Sequence, residues 1–115
     1  MNEPILSVDF YRTDAGSEPV RDWLRTLTVE DRKAIGIDIK TVQYGRPLGM
    51  PLVRKMAPDL WEIRCDIPDG IARVLFTVKN GRMVLLHGFV KKTQKTPDNE
   101  LSTARNRLKN CRNSK

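Results

Sequence analysis

The chain has 115 residues, 39% of them hydrophobic and 30% charged, with a formal net charge of +7. This length favours a single domain over residues 1–115, large enough to bury a core without disulfide or metal staples. No apolar run reaches the roughly 18 residues of a membrane span, so a membrane protein is not expected.

The N-terminus lacks the basic flank and apolar stretch of a secretory signal, and the expected compartment is the cytoplasm. Cys65 and Cys111 are too few and too far apart for a disulfide framework, and both read as reduced thiols. Cys65 reads as a small apolar strand residue and Cys111 as part of a polar tail. The single histidine, His87, forms no recognised metal-ligand spacing with them, so no metal or cofactor is expected. Charge is unevenly placed. Residues 1–78 hold 11 Lys/Arg and 12 Asp/Glu, whereas residues 79–115 hold 10 and 2, a balance of −1 against +8. The basic excess of the last third suggests a polyanionic partner, although a solvated basic helix would give the same count.

In chain order, Ile5–Tyr11 alternates as a strand with one buried face. Thr13–Ser17 is a turn. Ser17 is the expected cap of a first helix, with Glu18 and Pro19 in its first turn and Val20, Trp23, Leu24 and Leu27 on one stripe. Thr28-Val29-Glu30-Asp31 opens a second helix that buries Ile35, Ile39 and Val42 and ends at Gly45. The short connection suggests an antiparallel helical hairpin. Residues 46–59, with Pro47, Gly49, Pro51 and Pro58, read as a loop. Three strand candidates follow, Leu60–Asp66, Ala72–Lys79 and Met83–Lys91, separated by Pro68-Asp69-Gly70 and Asn80-Gly81. Both separators are turn signals, and the expectation is an antiparallel meander. A last helix begins with Thr96 as cap and Pro97 at its first position, and carries Leu101, Ala104 and Leu108 on a narrow stripe. Asn110–Lys115 reads as a polar tail. The fold class is therefore α+β, with the first two helices on one face of a twisted antiparallel sheet and the other face partly open.

Strand alternation sorts the side chains of that open face. Glu62, Arg64 and Asp66 share one phase, opposite Trp61, Ile63 and Cys65. Arg73, Leu75 and Thr77 share the corresponding phase of the next strand, so Arg64 and Arg73 are expected near each other. On the last strand, Leu85, His87, Phe89 and Lys91 form one set and Val84, Leu86, Gly88 and Val90 the other. Histidine is the side chain whose unperturbed charge change falls near neutral pH, so His87 suits either catalysis or a hydrogen-bonded structural role. Lys91, Lys92 and Lys95 cluster just before a helix N-terminus, with Thr93 between them, a favourable setting for phosphate. There is no phosphate-binding loop ending in Lys-Ser/Thr and no Gly-x-Ser-x-Gly elbow. No acidic cluster is evident for a two-metal nuclease. Cys65 falls on the buried phase, away from nucleophilic use.

With these residues in place a resemblance emerges. Leu60-Trp61-Glu62-Ile63-Arg64 and Gly70-Ile71-Ala72-Arg73-Val74-Leu75-Phe76 resemble the central hairpin of the RelE superfamily. Leu85 through Pro97, with Glu100 and the Ala104-Arg105-Arg107 helix, resembles the HigB-type branch, which includes phage-derived homologues. The likeness covers roughly residues 58–109. It implies the toxin of a type II toxin–antitoxin system, an endoribonuclease that cleaves mRNA on the ribosome without metal, by attack of the ribose 2′-hydroxyl on the adjacent phosphate. It also implies a helix-turn-helix antitoxin as partner. On that basis Arg73, Arg64, His87, Lys91 and Lys92 are the candidate catalytic residues. Thr93, Lys95, Arg105, Arg107 and Lys109 are the candidate RNA-binding residues. The proton carrier is His87 or a lysine among Lys91, Lys92 and Lys95. The chain differs from some RelE relatives at Glu62 and Arg64, where they carry lysines, and it has no tyrosine beyond Tyr44. Two other readings stand beside this one: a ParE-like gyrase poison, and a non-catalytic nucleic-acid-binding module.

Overall fold

A computed structural model describes residues 5–44, 53–91 and 96–113. The elements run β1 (Ser7–Phe10), α1 (Pro19–Arg25), α2 (Val29–Gln43), β2 (Val53–Ala57), β3 (Leu60–Ile67), β4 (Gly70–Lys79), β5 (Arg82–Lys91) and α3 (Asp98–Asn113). The strands form one sheet in the order β1-β5-β4-β3-β2. This is the expected α+β class, with two differences in the sheet.

First, the sheet is mixed. The strands β2 to β5 form an antiparallel meander, but β1 runs parallel to β5. The connection between these parallel strands is long, running through α1, α2 and the first three strands of the meander. Second, β2 lies inside the stretch read as a loop. Its sequence, Val-Arg-Lys-Met-Ala, sits at a sheet edge. Charged side chains are common at edges because they discourage pairing with another chain. The far face, expected to be partly open, is partly covered by α3. Tyr11, Leu60, Leu75, Leu86, Ala104 and Leu108 are buried together there. The other face buries Ile35, Ile63, Val74, Phe76, Met83 and Leu85 beneath α1 and α2. Each fully buried aliphatic or aromatic side chain contributes about 1.5–3 kcal/mol relative to exposure.

The turns follow their sequences. Asn80 and Gly81 have φ of 53° and 75°, and Lys79 pairs with Arg82 across them, as a two-residue hairpin with two left-handed positions requires. Thr28 caps α2 by accepting from the Asp31 backbone N–H at 3.1 Å. Helix α1 starts one residue later than expected, with Glu18 at the cap position and no side-chain cap bond. The Ser17 hydroxyl is engaged instead by Thr13 at 2.8 Å. The two helices share a sheet face, α1 against β5 and α2 against β3. Helix α2 ends at Gln43 with Tyr44 as cap, and the expected stop at Gly45 lies outside the described residues. Helix α3 extends to Asn113, so the start of the supposed polar tail is helical and Cys111 packs against the second core.

A bulge in β5 decides what reaches the far face. Leu75 pairs with His87 and Phe76 with Leu85, which leaves Leu86 as the extra residue. Two residues then oppose one, and the phase of the strand changes. Leu85 packs beneath α1 and α2, while Leu86 packs in the opposite cluster. After the bulge, Gly88 meets the Trp23 ring of α1. A Cβ built on Gly88 would lie 2.3 Å from Cζ3 of that ring. The absence of a side chain is therefore what lets α1 approach.

Candidate active site

At the end of the far face beyond the α3 core, four strands contribute polar residues. Arg64 and Arg73 are direct cross-strand partners, so their side chains emerge on one face. Arg54 pairs with Glu62 in the same way across β2 and β3. Sequence phase alone brought Arg64 and Arg73 together; Arg54 enters through the strand that was not expected.

The cluster is organised around a buried carboxylate. Glu62 is 1% exposed. Its Oε1 accepts from Arg73 Nη1 at 2.5 Å, and its Oε2 accepts from the Thr96 hydroxyl at 2.6 Å. Arg54 lies 3.7 Å from the same Oε1, with its own side chain 60% exposed. A carboxylate removed from water is costly unless cations and donors replace its hydration, and these three partners do so. Arg73 is buried and forms the floor. Arg64 is exposed at the rim, 3.7 Å from the exposed Asp66.

Lys91 is buried beside this pair. Burial pushes its pKa below the ordinary lysine value, Arg73, Arg54 and Arg64 push the same way, and Glu62 opposes them. Four cations, Arg54, Arg64, Arg73 and Lys91, thus crowd around Glu62. Lys92, Thr93 and Lys95 lie outside the described residues. Lys91 and Thr96, which flank them, both belong to the cluster.

His87 stands next to it in a different setting. Its Nε2 lies 2.5 Å from Glu100 Oε1, and its Nδ1 lies 3.1 Å from Arg107 Nη1. Arg107 has no acceptor, so Nδ1 accepts and Nε2–H donates to Glu100. The same guanidinium nitrogen donates to the Leu86 carbonyl at 2.9 Å. Both ring nitrogens are therefore engaged, and the ring stacks on Phe89 at 5.7 Å between centroids. Arg107 faces inward, bound to the bulge of β5. Arg105 and Lys109 are exposed on α3.

Thr96 does not cap α3; its hydroxyl is turned to Glu62, and the helix begins at Asp98. Glu62, Arg54, Thr96 and Glu100 are the members of this region that sequence reasoning missed. A signal for Glu62 was present: it shares a strand phase with Arg64, and Arg73 lies on the matching phase of the next strand. A carboxylate on a cationic face invites the question of what it holds.

Cys65 lies on the opposite face and is fully buried. Burial pushes its thiol well above the usual range, and the nearby Asp38 carboxyl adds to the effect. It is thus unsuited to nucleophilic work. Among the described residues, no group of three or more His, Cys, Asp or Glu side chains is placed to hold a metal ion. A cavity of about 540 Å³ lies elsewhere, lined by residues of β1, the segment after it, the β4–β5 hairpin and the end of α3, including Tyr11, Arg12, Arg82 and Asn110. It shares no residue with the Glu62 cluster.

A mixed five-stranded sheet with a helical layer on one face and a C-terminal helix on the other is compatible with the RelE-like fold. The family model described as phage-derived protein Gp49-like (DUF891) matches residues 22–109, and the chain belongs to that family. It is a RelE/ParE-like toxin family of toxin–antitoxin systems, which implies an antitoxin as partner. A search of curated proteins found no match. No helix among the described residues is long and apolar enough to cross a membrane.

Proposed function

We propose that this protein is an mRNA-cleaving toxin of the HigB-like kind, acting on ribosome-bound message in the cytoplasm and held in check by a helix-turn-helix antitoxin. The observation that carries the reading is the floor of the cation cluster: Arg73 is held by buried Glu62, with Lys91 beside it and Arg54 and Arg64 at the rim. A site built this way suits a phosphodiester whose negative charge grows during reaction.

In the reaction, the ribose 2′-oxygen bonds to phosphorus and the bond from phosphorus to the 5′-oxygen breaks. The 2′-proton leaves and the departing 5′-oxygen gains a proton, giving a 2′,3′-cyclic phosphate and a 5′-hydroxyl. Arg73 stabilises the charge on the phosphoryl oxygens, because a fixed guanidinium needs no reorganisation as that charge develops. Arg64 and Arg54 draw the RNA backbone in from the rim. Lys91 is the preferred proton carrier, since its burial, and then its cationic neighbours, favour release of its proton. His87 is the weaker candidate, because Glu100 and Arg107 engage both of its nitrogens. Lys92, Thr93, Lys95, Arg105 and Lys109 extend the phosphate contacts, while Arg107 supports His87 and β5.

The test is induction of the protein in cells, with RNA 5′ ends and DNA breaks mapped in parallel. New ends inside translated codons, abolished by Arg73→Ala, are the expected result. Gyrase-dependent DNA breaks without new RNA ends would replace this reading with the gyrase poison. Neither signal would leave a non-catalytic nucleic-acid-binding module.

A further inference from the structure

The Glu62 carboxylate is an unusual resident of a site that must attract phosphate. It lowers the local positive charge, yet it is the most buried member of the cluster, 1% exposed. Its two oxygens face different elements. One holds Arg73 of β4 at 2.5 Å, and the other holds the hydroxyl of Thr96, two residues before α3, at 2.6 Å.

We infer that Glu62 is the positioning residue of this site: it sets the Arg73 guanidinium against the phosphate and ties the approach to α3 onto the same floor. The inference rests on the cleavage reading for its effect on rate. A guanidinium on a flexible stem can stabilise a transition state only if its direction is fixed beforehand. The short contact to Glu62 supplies that direction. Arg54 adds only a longer and exposed contact to the same oxygen. The Thr96 contact extends the effect, because it draws the chain two residues before α3 onto the floor that holds Arg73. Glu62 is poorly placed to carry protons itself. Its carboxylate is screened from solvent, and each oxygen already accepts a hydrogen bond.

The test compares Glu62→Gln, Glu62→Ala and Thr96→Val in single-turnover cleavage of ribosome-bound mRNA. Glutamine keeps an acceptor oxygen for Arg73 and offers an amide donor to Thr96. Positioning therefore predicts that Glu62→Gln stays within about tenfold of the parent rate. Glu62→Ala loses on the order of a hundredfold in kcat, the scale of a reacting group displaced by about 1 Å, with KM little changed. Thr96→Val falls between them. A Glu62→Gln protein as inactive as Glu62→Ala, with both still folded, would overturn the inference in favour of a proton-carrying carboxylate.

Melting temperatures read the Glu62–Thr96 tie without RNA. Once Glu62→Ala is present, adding Thr96→Val should lower the midpoint no further; fully additive losses would overturn the tie. A parent protein that cleaves nothing would refute the cleavage reading, and the melting experiment would still decide the tie.

Discussion

Arg73→Met tests whether Arg73 and Glu62 are a buried ion pair. Glu62 is 1% exposed, and its shortest contact, at 2.5 Å, is to Arg73. Removing Arg73 leaves Arg54 at 3.7 Å, but that side chain is 60% exposed and water screens it. The carboxylate would then be buried with one hydroxyl donor, a distant cation and Lys91, whose own burial disfavours its charged form. Breaking one side of a buried pair costs about 3–5 kcal/mol. At roughly 4 °C per kcal/mol for a domain of this size, the melting midpoint should fall by roughly 12–20 °C. The double variant Glu62→Leu/Arg73→Met removes the stranded carboxylate together with its partner. It should regain at least half of the loss, because apolar replacement of a buried pair is often neutral. Thermal and urea unfolding followed by circular dichroism measure both proteins. A single variant within about 1 kcal/mol of the parent, or a double variant less stable than the single one, would refute the buried-pair argument. Cleavage should be absent in both, which separates the chemistry from the stability.

Lys91 gives a pH dependence. Its folded-state pKa is lowered by burial first and by neighbouring cations second. Stability should therefore rise with pH from the depressed value up to the ordinary 10.5, where the unfolded chain still holds the proton that the folded one has lost. Lys91→Met should remove that rise in pH-dependent unfolding; an unchanged slope would contradict it. Gly88→Val places a branched side chain against Trp23, where even a Cβ would lie 2.3 Å from the ring. A loss of about 1–3 kcal/mol and a shifted tryptophan emission are expected, and parent-like unfolding and emission would contradict this packing. For the thiols, Cys65 should resist alkylation until the chain unfolds, whereas the partly exposed Cys111 should react in the native state. Mass spectrometry of the labelled protein decides this, and native labelling of Cys65 would count against its burial.

Much of the fold was legible because local rules governed it. The Asn80-Gly81 hairpin, the Thr28 cap and the Ile35/Ile39/Val42 stripe follow from short-range chemistry. What escaped depends on partners far along the chain. The parallel pairing of β1 with β5 joins Ser7 to Arg82, a relation no local period encodes. The strand β2 carries charged side chains at a sheet edge, so its alternation is weak. The bulge at Leu86 explains why both phases of β5 looked apolar, since each phase is buried on a different face in turn. At the site, the juxtaposition of Arg64 and Arg73 was visible from strand phase. The role of Glu62 was not, because its burial is set jointly by Arg73, Arg54 and Thr96 from three other parts of the chain. His87 drew attention as the only histidine, but its surroundings depend on α3 folding back to present Glu100 and Arg107.

The most direct test of the central claim is end-group analysis of mRNA after incubation of the purified protein with translating ribosomes. The account predicts fragments with 5′-hydroxyl and 2′,3′-cyclic phosphate ends, formed without added catalytic metal and lost with Arg73→Ala. Intact message, or fragments with 5′-phosphate ends that persist in the Arg73→Ala protein, would contradict it.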